Sequence, residues 1–276
     1  MKLLKRKILF TLASEIDFFS RTESFNYKPY YFLYWRLAGY QESSIRNAVL
    51  QLVESGEIDK IMRNSTSLFR LTSQGRDRLL SFFPISIGQK RVWDRRWRIA
   101  IVSSSQGSSL AKDNPSRKIR KLRKGLRKLG FKKLSRGVYL TPLPVSERLK
   151  EFLFQDNLTP HLGGVIESRR LVIGDDKQLA KQIWPLNKLG QAYNQSISRI
   201  ERLLVVLRKQ KRLLDKEKKQ FSLILDNIFS LLAADPGLPK KLLPNDWPLD
   251  LARERFLKLA EAVKFLENDK NHIDIL

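Results

Sequence analysis

The chain has 276 residues, with 53 Lys and Arg against 28 Asp and Glu, which gives a formal net charge of +25 at pH 7. A hydrophobic content of 42% excludes a disordered chain, and the absence of Cys excludes a disulfide framework or a thiolate metal site. The excess charge favours a nucleic acid as partner over the other uses of a basic surface, which are solvation and attachment to anionic lipid.

The positive charge is unevenly spread along the chain. Residues 1–91 carry 15 basic and 8 acidic side chains, residues 92–174 carry 19 and 6, and residues 175–276 carry 19 and 14. The middle segment is therefore the most basic. No apolar run approaches the roughly 20 residues of a membrane-spanning helix, so we expect a cytoplasmic protein that does not enter a membrane.

Three short helices are predicted at the start of the chain. The first is indicated by apolar residues at four-residue spacing, which are Leu4, Ile8, Leu12 and Ile16. A polar loop at residues 20–24 ends it. The second helix begins at Pro29 and ends at Gly39, and the third opens near residues 41–44, where hydroxyl side chains suit an N-cap.

The third helix and the segment after it predict a winged helix-turn-helix. The helix turns an apolar face inward, formed by Ile45, Val49, Leu52 and Val53. After a helix stop at Gly56, strands over residues 57–62 and 67–71 flank a turn at residues 63–66, and a further helix reaches Leu80. Three helices with a tight turn between the last two, followed by a two-stranded ribbon, make this motif.

The outward side chains of this motif suit double-stranded DNA. On the third helix they are Ser43, Ser44, Arg46, Asn47 and Gln51. Arg46, Asn47 and Gln51 carry the guanidinium and amide groups that hydrogen-bond guanine and adenine. Phosphate contacts are predicted on the ribbon and near the N-terminus, at Lys60, Arg63, Asn64, Lys5, Arg6 and Lys7. The alternative is a winged helix that contacts protein.

The middle segment follows a linker marked by Pro84 and Gly88. It begins with an apolar strand, Ile99–Val102, and a polar loop at residues 103–116. The next helix has a core face formed by Ile119, Leu122, Leu126 and Leu129.

That helix is the most basic stretch of the chain, because residues 117–136 carry eleven positive charges in twenty residues. Like charges one helical turn apart repel each other, and a polyanion would relieve the repulsion. We therefore predict phosphate contacts at Arg120, Lys121 and Lys124. The alternative is a solvated face whose long side chains cover apolar surface.

Further elements complete a small domain. A strand at residues 137–140, a helix at 145–154 and strands at 163–166 and 170–173 follow the basic helix. The order strand, helix, strand, helix, strands predicts a ferredoxin-like α+β domain.

The last segment is predicted to be helical. A helix runs from residues 175–177 to Ile183, and a longer pattern over residues 186–233 is broken once, with residues 209–219 as an exposed bend. Its candidate core positions are Leu203, Leu207, Leu214, Phe221, Leu225, Ile228 and Leu232. After a proline-rich stretch at residues 235–248, a final helix spans residues 249–266.

All three segments of the chain contain stretches that resemble the PaaX family of transcriptional regulators. Residues 97–102, 128–131 and 134–142 are similar to its central domain, which is similar in fold to the small CRISPR-associated adaptation endonuclease. Residues 43–79 resemble the PaaX winged helix. Residues 235–248, with their prolines around Leu-Leu-Pro and Asp-Trp-Pro, resemble its C-terminal signature and are the most specific motif, which we interpret as a rigid loop packed against the helices.

The resemblance implies a repressor that binds a palindromic operator as a homodimer joined by the central domain, without a cofactor. In the endonuclease-like relatives an aspartate closes the first strand and binds the metal, and Ser103 takes that place here. Since a hydroxyl is a poor Mg²⁺ ligand beside carboxylate, we expect no catalytic or metal-binding residue and no enzyme activity. The two histidines, His161 and His272, lie in different segments. Relatives in phenylacetate metabolism sense an aryl-CoA thioester, but no pocket residue here supports it, so the identity of a small-molecule effector stays open.

The sequence therefore predicts an α+β protein with three domains. They are an N-terminal winged helix-turn-helix at residues 1–84, a central ferredoxin-like dimerisation domain at 92–174 and a C-terminal α-helical domain at 175–276. The predicted function is sequence-specific repression through steric occlusion of a promoter. Two alternatives stay open: a metal-dependent nuclease built on the central domain, and a nucleic-acid-binding protein without sequence preference, which the basic middle segment favours.

Overall fold

A computed structural model describes residues 2–13, 27–83, 92–103, 115–169 and 171–268. The chain divides into two compact units. The first unit comprises Met1–Gly88, Lys188–Asp235 and Pro248–Leu276, and the second comprises Gln89–Asn187 and Pro236–Trp247. The predicted loop at residues 20–24, the linker residues Pro84 and Gly88, most of the polar loop at 103–116, and Ile16 and His272 lie outside the described residues.

The N-terminal part of the first unit has the predicted order of elements. Its helices and strands are α1 Lys2–Leu12, β1 Lys28–Pro29, α2 Tyr30–Arg36, α3 Glu42–Glu54, β2 Ile58–Arg63, β3 Thr66–Leu71 and α4 Ser73–Leu80. The strands form an antiparallel sheet in the order β1-β3-β2. Three details differ from the prediction. Strand β1 was not predicted, and Pro29 lies in this strand instead of the first turn of α2. Helix α2 ends at Arg36, before the predicted stop at Gly39. Gln41, and not a hydroxyl residue, occupies the N-cap of α3, and its side chain makes no capping hydrogen bond.

A tight hairpin turn and a capped helix fix this part of the fold. Asn64 and Ser65 connect β2 and β3 with φ angles of 47° and 60°. Positive φ at both central residues gives the turn type whose twist matches that of the two strands. Thr72 then caps α4, because its hydroxyl accepts a hydrogen bond from the backbone N–H of Gly75.

Three C-terminal helices share the core of the first unit. They are α8 Leu186–Leu207, which starts in the second unit, α9 Asp215–Ala234 and α10 Leu249–Asn268. Fully buried side chains of α9 and α10, such as Phe221 and Phe256, belong to the same hydrophobic cluster as Ile8 of α1 and Leu33 of α2. The first unit thus combines the N-terminal segment with most of the C-terminal helices, whereas the sequence suggested three consecutive domains.

The break between α8 and α9 lies where a bend was predicted but is shorter, at residues 208–214. Of the predicted core positions, Leu203, Leu207, Phe221, Leu225, Ile228 and Leu232 are buried. The prediction for Leu214 was wrong, because Leu214 is 39% exposed and its neighbour Leu213 is buried instead. Leu214 is the N-cap of α9 and has extended backbone, so the helical spacing no longer applies at this residue.

The second unit is built on a four-stranded antiparallel sheet. Its elements are β4 Trp97–Val102, α5 Pro115–Lys128, β5 Lys132–Ser135, β6 Val138–Thr141, α6 Ser146–Gln155, β7 Leu162–Ser168 and α7 Asp176–Ile183. The strand order β5-β6-β4-β7, with one helix after β4 and one after β6, is ferredoxin-like, as predicted. The prediction of a strand at residues 170–173 was wrong for residues 171–173, which form a bend that leads into α7.

The two faces of this sheet are covered differently. Ala100, Val102 and Tyr139 lie on one face and pack with the apolar sides of α5 and α6. Trp97 and Leu140 lie on the other face, where they pack with α7 and with the proline-rich signature segment through Leu238, Leu242 and Leu243. The signature is thus a packed loop, as predicted, but it packs on the central sheet as well as on a helix.

Candidate nucleic-acid interface

Helix α3 separates its side chains into a buried and an exposed face. Ile45, Ala48, Val49 and Leu52 are buried, with at most 1% exposure each. Ser43, Ser44, Arg46 and Asn47 are exposed, and Gln51 is half-buried. The structure thus places the predicted polar side chains on one accessible face, and their role in reading bases stays a prediction.

Arg46 is held in place by neighbouring side chains. Its Nε donates a 2.6 Å hydrogen bond to the Tyr34 hydroxyl of α2, and its Nη2 lies 3.6 Å from a carboxylate oxygen of Glu42. Tyr34 in turn stacks on Tyr30, with ring centroids 5.6 Å apart. About 59% of the Arg46 side chain is exposed, so the guanidinium is oriented while remaining accessible.

Sequence reasoning missed Glu42, Tyr34 and Leu50 on this surface. Leu50 is 44% exposed on α3 although it is apolar. An apolar side chain can contact the thymine methyl group, and a carboxylate can accept from the cytosine amino group. The helical spacing could have revealed Leu50, because the residue does not fit the buried stripe. Nothing in the sequence indicates the Tyr34 contact, which joins two helices.

The hairpin exposes cations in two places, in the middle of β2 and at its turn. Lys60, Arg63 and Asn64 are all exposed. Met62, 61% exposed, adds an apolar side chain next to them. Arg70 of β3 differs, because its Nη2 donates a 2.8 Å hydrogen bond to Asp59, which also accepts one from the Tyr27 hydroxyl. These hydrogen bonds, that from Tyr27 above all, hold the pKa of Asp59 below its usual value, so the carboxylate neutralises Arg70.

The N-terminal cations differ from one another. Arg6 is exposed and stacks on the Phe82 ring at 4.4 Å, and Lys5 is half-buried. The prediction that Lys7 meets phosphate was wrong. Lys7 is 8% exposed, and its Nζ lies 2.7 Å from an oxygen of Asp226 in α9 and over the ring of Tyr40. Its charge is neutralised by a contact 219 positions away in the chain, which local patterns cannot show.

The C-terminal helices α9 and α10 hold helix α2 in place through side-chain contacts. Arg36 is 3% exposed, and its two terminal nitrogens donate to the carboxylate of Glu267 at 3.2 and 3.0 Å. Its guanidinium also lies over the rings of Phe32 and Trp35, at 3.7 and 4.0 Å. Ser222 of α9 donates to the backbone oxygen of Arg36. The helix that orients Arg46 is therefore fixed by residues from the far end of the chain.

The second unit presents the predicted cations of α5. Arg120, Lys121 and Lys124 are all exposed. Lys121 forms an ion pair of 2.7 Å with Asp156, which follows α6. Whether these side chains meet phosphate stays a prediction.

The end of β4 shows where a metal site would lie in the endonuclease-like relatives. Ser103 follows the strand as predicted, and its backbone N–H donates to the carbonyl of His161 at 3.0 Å. Within the described part of the chain, no group of three or more His, Cys, Asp or Glu side chains is arranged to hold a metal ion.

The described helices include none that combines the length and the apolar character required to cross a membrane.

Comparison with known proteins identifies the family. Residues 90–180 match the PaaX protein central Cas2-like domain, and residues 184–270 match the PaaX-like protein C-terminal domain. Among solved structures, the uncharacterized protein Rv0674 from Mycobacterium tuberculosis is similar, with a TM-score of 0.52 and 20% identity over 84% of this chain and 86% of that chain. At this identity the likeness shows the fold alone. A search of curated proteins finds no match. The two PaaX matches cover more than half of the residues, and the chain belongs to the PaaX family.

Proposed function

We propose that this protein is a DNA-binding transcriptional regulator whose N-terminal elements act as a winged helix-turn-helix. The observation that carries the proposal is the exposed face of α3, which combines hydroxyl, amide and guanidinium groups opposite a fully buried face. The helix begins a few residues after α2 ends. A helix of this kind fits the major groove, where such groups distinguish the base pairs.

The β2-β3 hairpin supports the same interface. Lys60, Arg63 and Asn64 offer cations and an amide close to the turn, where phosphate contacts would fix the register of α3 on the duplex. Arg6 adds an exposed cation in α1. Lys7 and Arg70 are left out of this interface because each is paired with a carboxylate.

The regulator would act as a homodimer on a palindromic operator. The support is an exposed apolar patch on the signature-covered face of the central sheet, where Ile101 is 38% and Ile166 is 51% exposed. Ile166 pairs with Ile99 in the strand register and thus lies on the same face. A second copy of the chain that covers this patch would present two reading helices, and a two-fold protein matches a palindromic site.

Repression would be steric and would need no catalysis. A dimer that occupies a promoter in the cytoplasm excludes the polymerase until an effector, whose identity stays open, weakens binding. Cleavage of DNA that requires Mg²⁺ and stops on chelation would contradict this mechanism and favour the nuclease alternative.

Selection from a random duplex library with the full-length protein tests the proposal. We expect enrichment of a palindromic motif by the wild type and loss of the enrichment with Arg46→Ala and Asn47→Ala combined. Arg208→Ala is a matched control, because Arg208 is exposed in the bend after α8. A wild type that binds well but enriches no motif would instead support the second candidate, sequence-independent binding, which the cations of α5 favour.

A further inference from the structure

Helix α5 carries a continuous stripe of cations along its exposed side. The basic stripe consists of Arg117, Arg120, Lys121, Lys124, Arg127 and Lys128, all of them exposed. Their spacing of three and four residues places them on one side of the helix. The opposite side is formed by Leu122 and Leu126, both 0% exposed. The stripe is therefore fixed on the domain by a packed apolar face.

Most of this charge is not neutralised by the residues that the structure describes. In the part of the protein that the structure describes, Lys121 is the one stripe residue with an ion pair, which it forms with Asp156. Lys133 is a further exposed cation on the sheet face that α5 and α6 cover, because it pairs in register with Tyr139, whose side chain lies on that face. Cations held this close repel each other, and binding of a polyanion removes the repulsion.

The composition of the stripe distinguishes between two polyanions. A helix that binds a lipid surface inserts an apolar face between the headgroups. Over residues 116–128 every exposed side chain is Ser, Lys or Arg, while the apolar side chains are buried or half-buried against the domain. The stripe can therefore contact phosphates at its surface, but it has no exposed apolar side chain to insert between lipid headgroups. This composition suits a phosphodiester backbone.

We infer that the basic stripe of α5 is a second DNA-binding surface, which binds the phosphate backbone of duplex DNA of any sequence. This goes beyond the proposed regulator, since it requires neither α3 nor an operator, and it gives the second candidate of the proposed function a defined surface. From Arg117 to Lys128 the stripe is about 16 Å long at 1.5 Å per residue. Duplex DNA carries one charge per about 1.7 Å of its axis, so several phosphates face a stripe of this length.

The salt dependence of binding to a random-sequence duplex tests this inference. Arg120→Gln, Lys124→Gln and Arg127→Gln combined remove three charges and keep the side-chain stems that cover apolar surface. The slope of log K against log salt is negative, and each lost phosphate contact makes it less steep by about 0.9, so we expect a slope less steep by about 2 to 3 and weaker binding at low salt. The matched control replaces Lys209, Lys211 and Arg212, three exposed cations of the bend between α8 and α9, with Gln and should leave the slope unchanged.

Two further variants separate this inference from its rivals. Arg120→Lys with Arg127→Lys keeps the charge and should keep the slope, which shows that the loss is electrostatic; thermal unfolding verifies that each variant is folded. An unchanged slope in the Gln variant, or an equal fall in the bend control, would overturn the inference. The inference would also be overturned if the protein bound vesicles of anionic lipid more tightly than DNA and the triple Gln variant lost that binding. Arg46→Ala should leave this slope nearly unchanged. A failure of the winged-helix proposal would instead appear in the duplex selection, as the absence of a preferred motif, so the two proposals can fail independently.

Discussion

The exposed face of α3 and the basic stripe of α5 are both polar helix surfaces, but they offer different chemistry. The α3 face mixes hydroxyl, amide, guanidinium and carboxylate groups with the apolar side chain of Leu50. The stripe consists of Lys and Arg alone. Distinguishing base pairs requires acceptors, donors and apolar contacts, whereas holding a phosphate backbone requires only cations. Under the two proposals above, sequence preference would come from the first unit and sequence-independent affinity from the second.

The two surfaces also differ in what holds them in place. Helix α2, which orients Arg46, is fixed through Arg36 and Glu267, which are 231 positions apart. Helix α5 is fixed by neighbours in its own unit, and at Gly125 it lies so close to α6 that an added Cβ would come within 2.0 Å of the Phe152 ring. A remote substitution should therefore disturb the α3 face and leave the stripe intact.

Arg36→Ala gives the largest expected effect on this comparison. It leaves the Glu267 carboxylate without its bidentate partner and opens a cavity against Phe32 and Trp35. Removing one partner of a fully buried ion pair costs about 3–5 kcal/mol, and because the Glu267 side chain is 24% exposed we take the lower end, about 3 kcal/mol. We expect that loss in the free energy of unfolding, measured by denaturant titration, together with loss of motif binding. Lys258→Ala, on the exposed side of α10, serves as control, and an unaltered unfolding free energy for Arg36→Ala would show that the pair does not anchor α2.

Arg46→Ala should separate the two surfaces most directly. One bidentate contact to a base contributes about 1–3 kcal/mol of discrimination, so binding to the selected motif should fall by roughly ten- to a hundredfold. Binding to random duplex should change little, since the cations of the stripe remain. Arg120→Gln should instead weaken binding to both duplexes by the same factor. Titrations of both DNAs with both variants measure this, and equal losses with Arg46→Ala would end its role in reading bases.

The elements that local patterns determine were predictable from the sequence. The alternation of apolar spacings located α3, α5 and the hairpin, and the order of elements predicted the ferredoxin-like sheet. These signals depend on residues within a few positions of each other. The same reasoning correctly placed the polar side chains of α3 on its exposed face.

Long-range pairing was not predictable. Lys7 looks like a surface cation within its own helix, and only Asp226, brought from α9 by the shared core, explains its burial. The proline-rich signature packs on the central sheet of the second unit, while the helices before and after it belong to the first. A single sequence does not contain the information that pairs such distant segments.

Ser65→Gly should stabilise the β2-β3 hairpin by a smaller amount. Ser65 has a φ of 60°, a conformation that costs a residue with a Cβ about 1 kcal/mol and costs glycine little. The substitution also creates Asn-Gly, the favoured pair for this turn. We expect a gain of about 0.5–1 kcal/mol in unfolding free energy with an unchanged salt slope. Ser67→Gly, in the adjacent strand, should lower stability, and a loss in both variants would contradict the turn assignment.

The last expected effect is a pH dependence confined to the second unit. Glu167 accepts hydrogen bonds from Ser146, Arg96 and Arg98. These contacts, that of Ser146 first, lower the pKa of Glu167 from 4.5 to about 2. Because the folded value lies below the unfolded one, the carboxylate stabilises the unit above pH 4.5, and the contribution is lost as pH falls from about 4.5 to about 2.

Glu167→Gln should therefore lower the denaturant midpoint at pH 7 and have little effect near pH 2. Trp fluorescence reports mainly on this unit, since four of the five tryptophans, Trp93, Trp97, Trp184 and Trp247, lie in it. Glu151→Gln, exposed on α6, should leave the midpoint unchanged at both pH values. If the denaturant midpoints of Glu167→Gln and the wild type fall by the same amount between pH 7 and pH 2, the loss of stability in acid arises from carboxylates other than Glu167. Arg98, Ser146 and Glu167 would then stabilise the sheet through packing and hydrogen bonds, and not through the charge of Glu167.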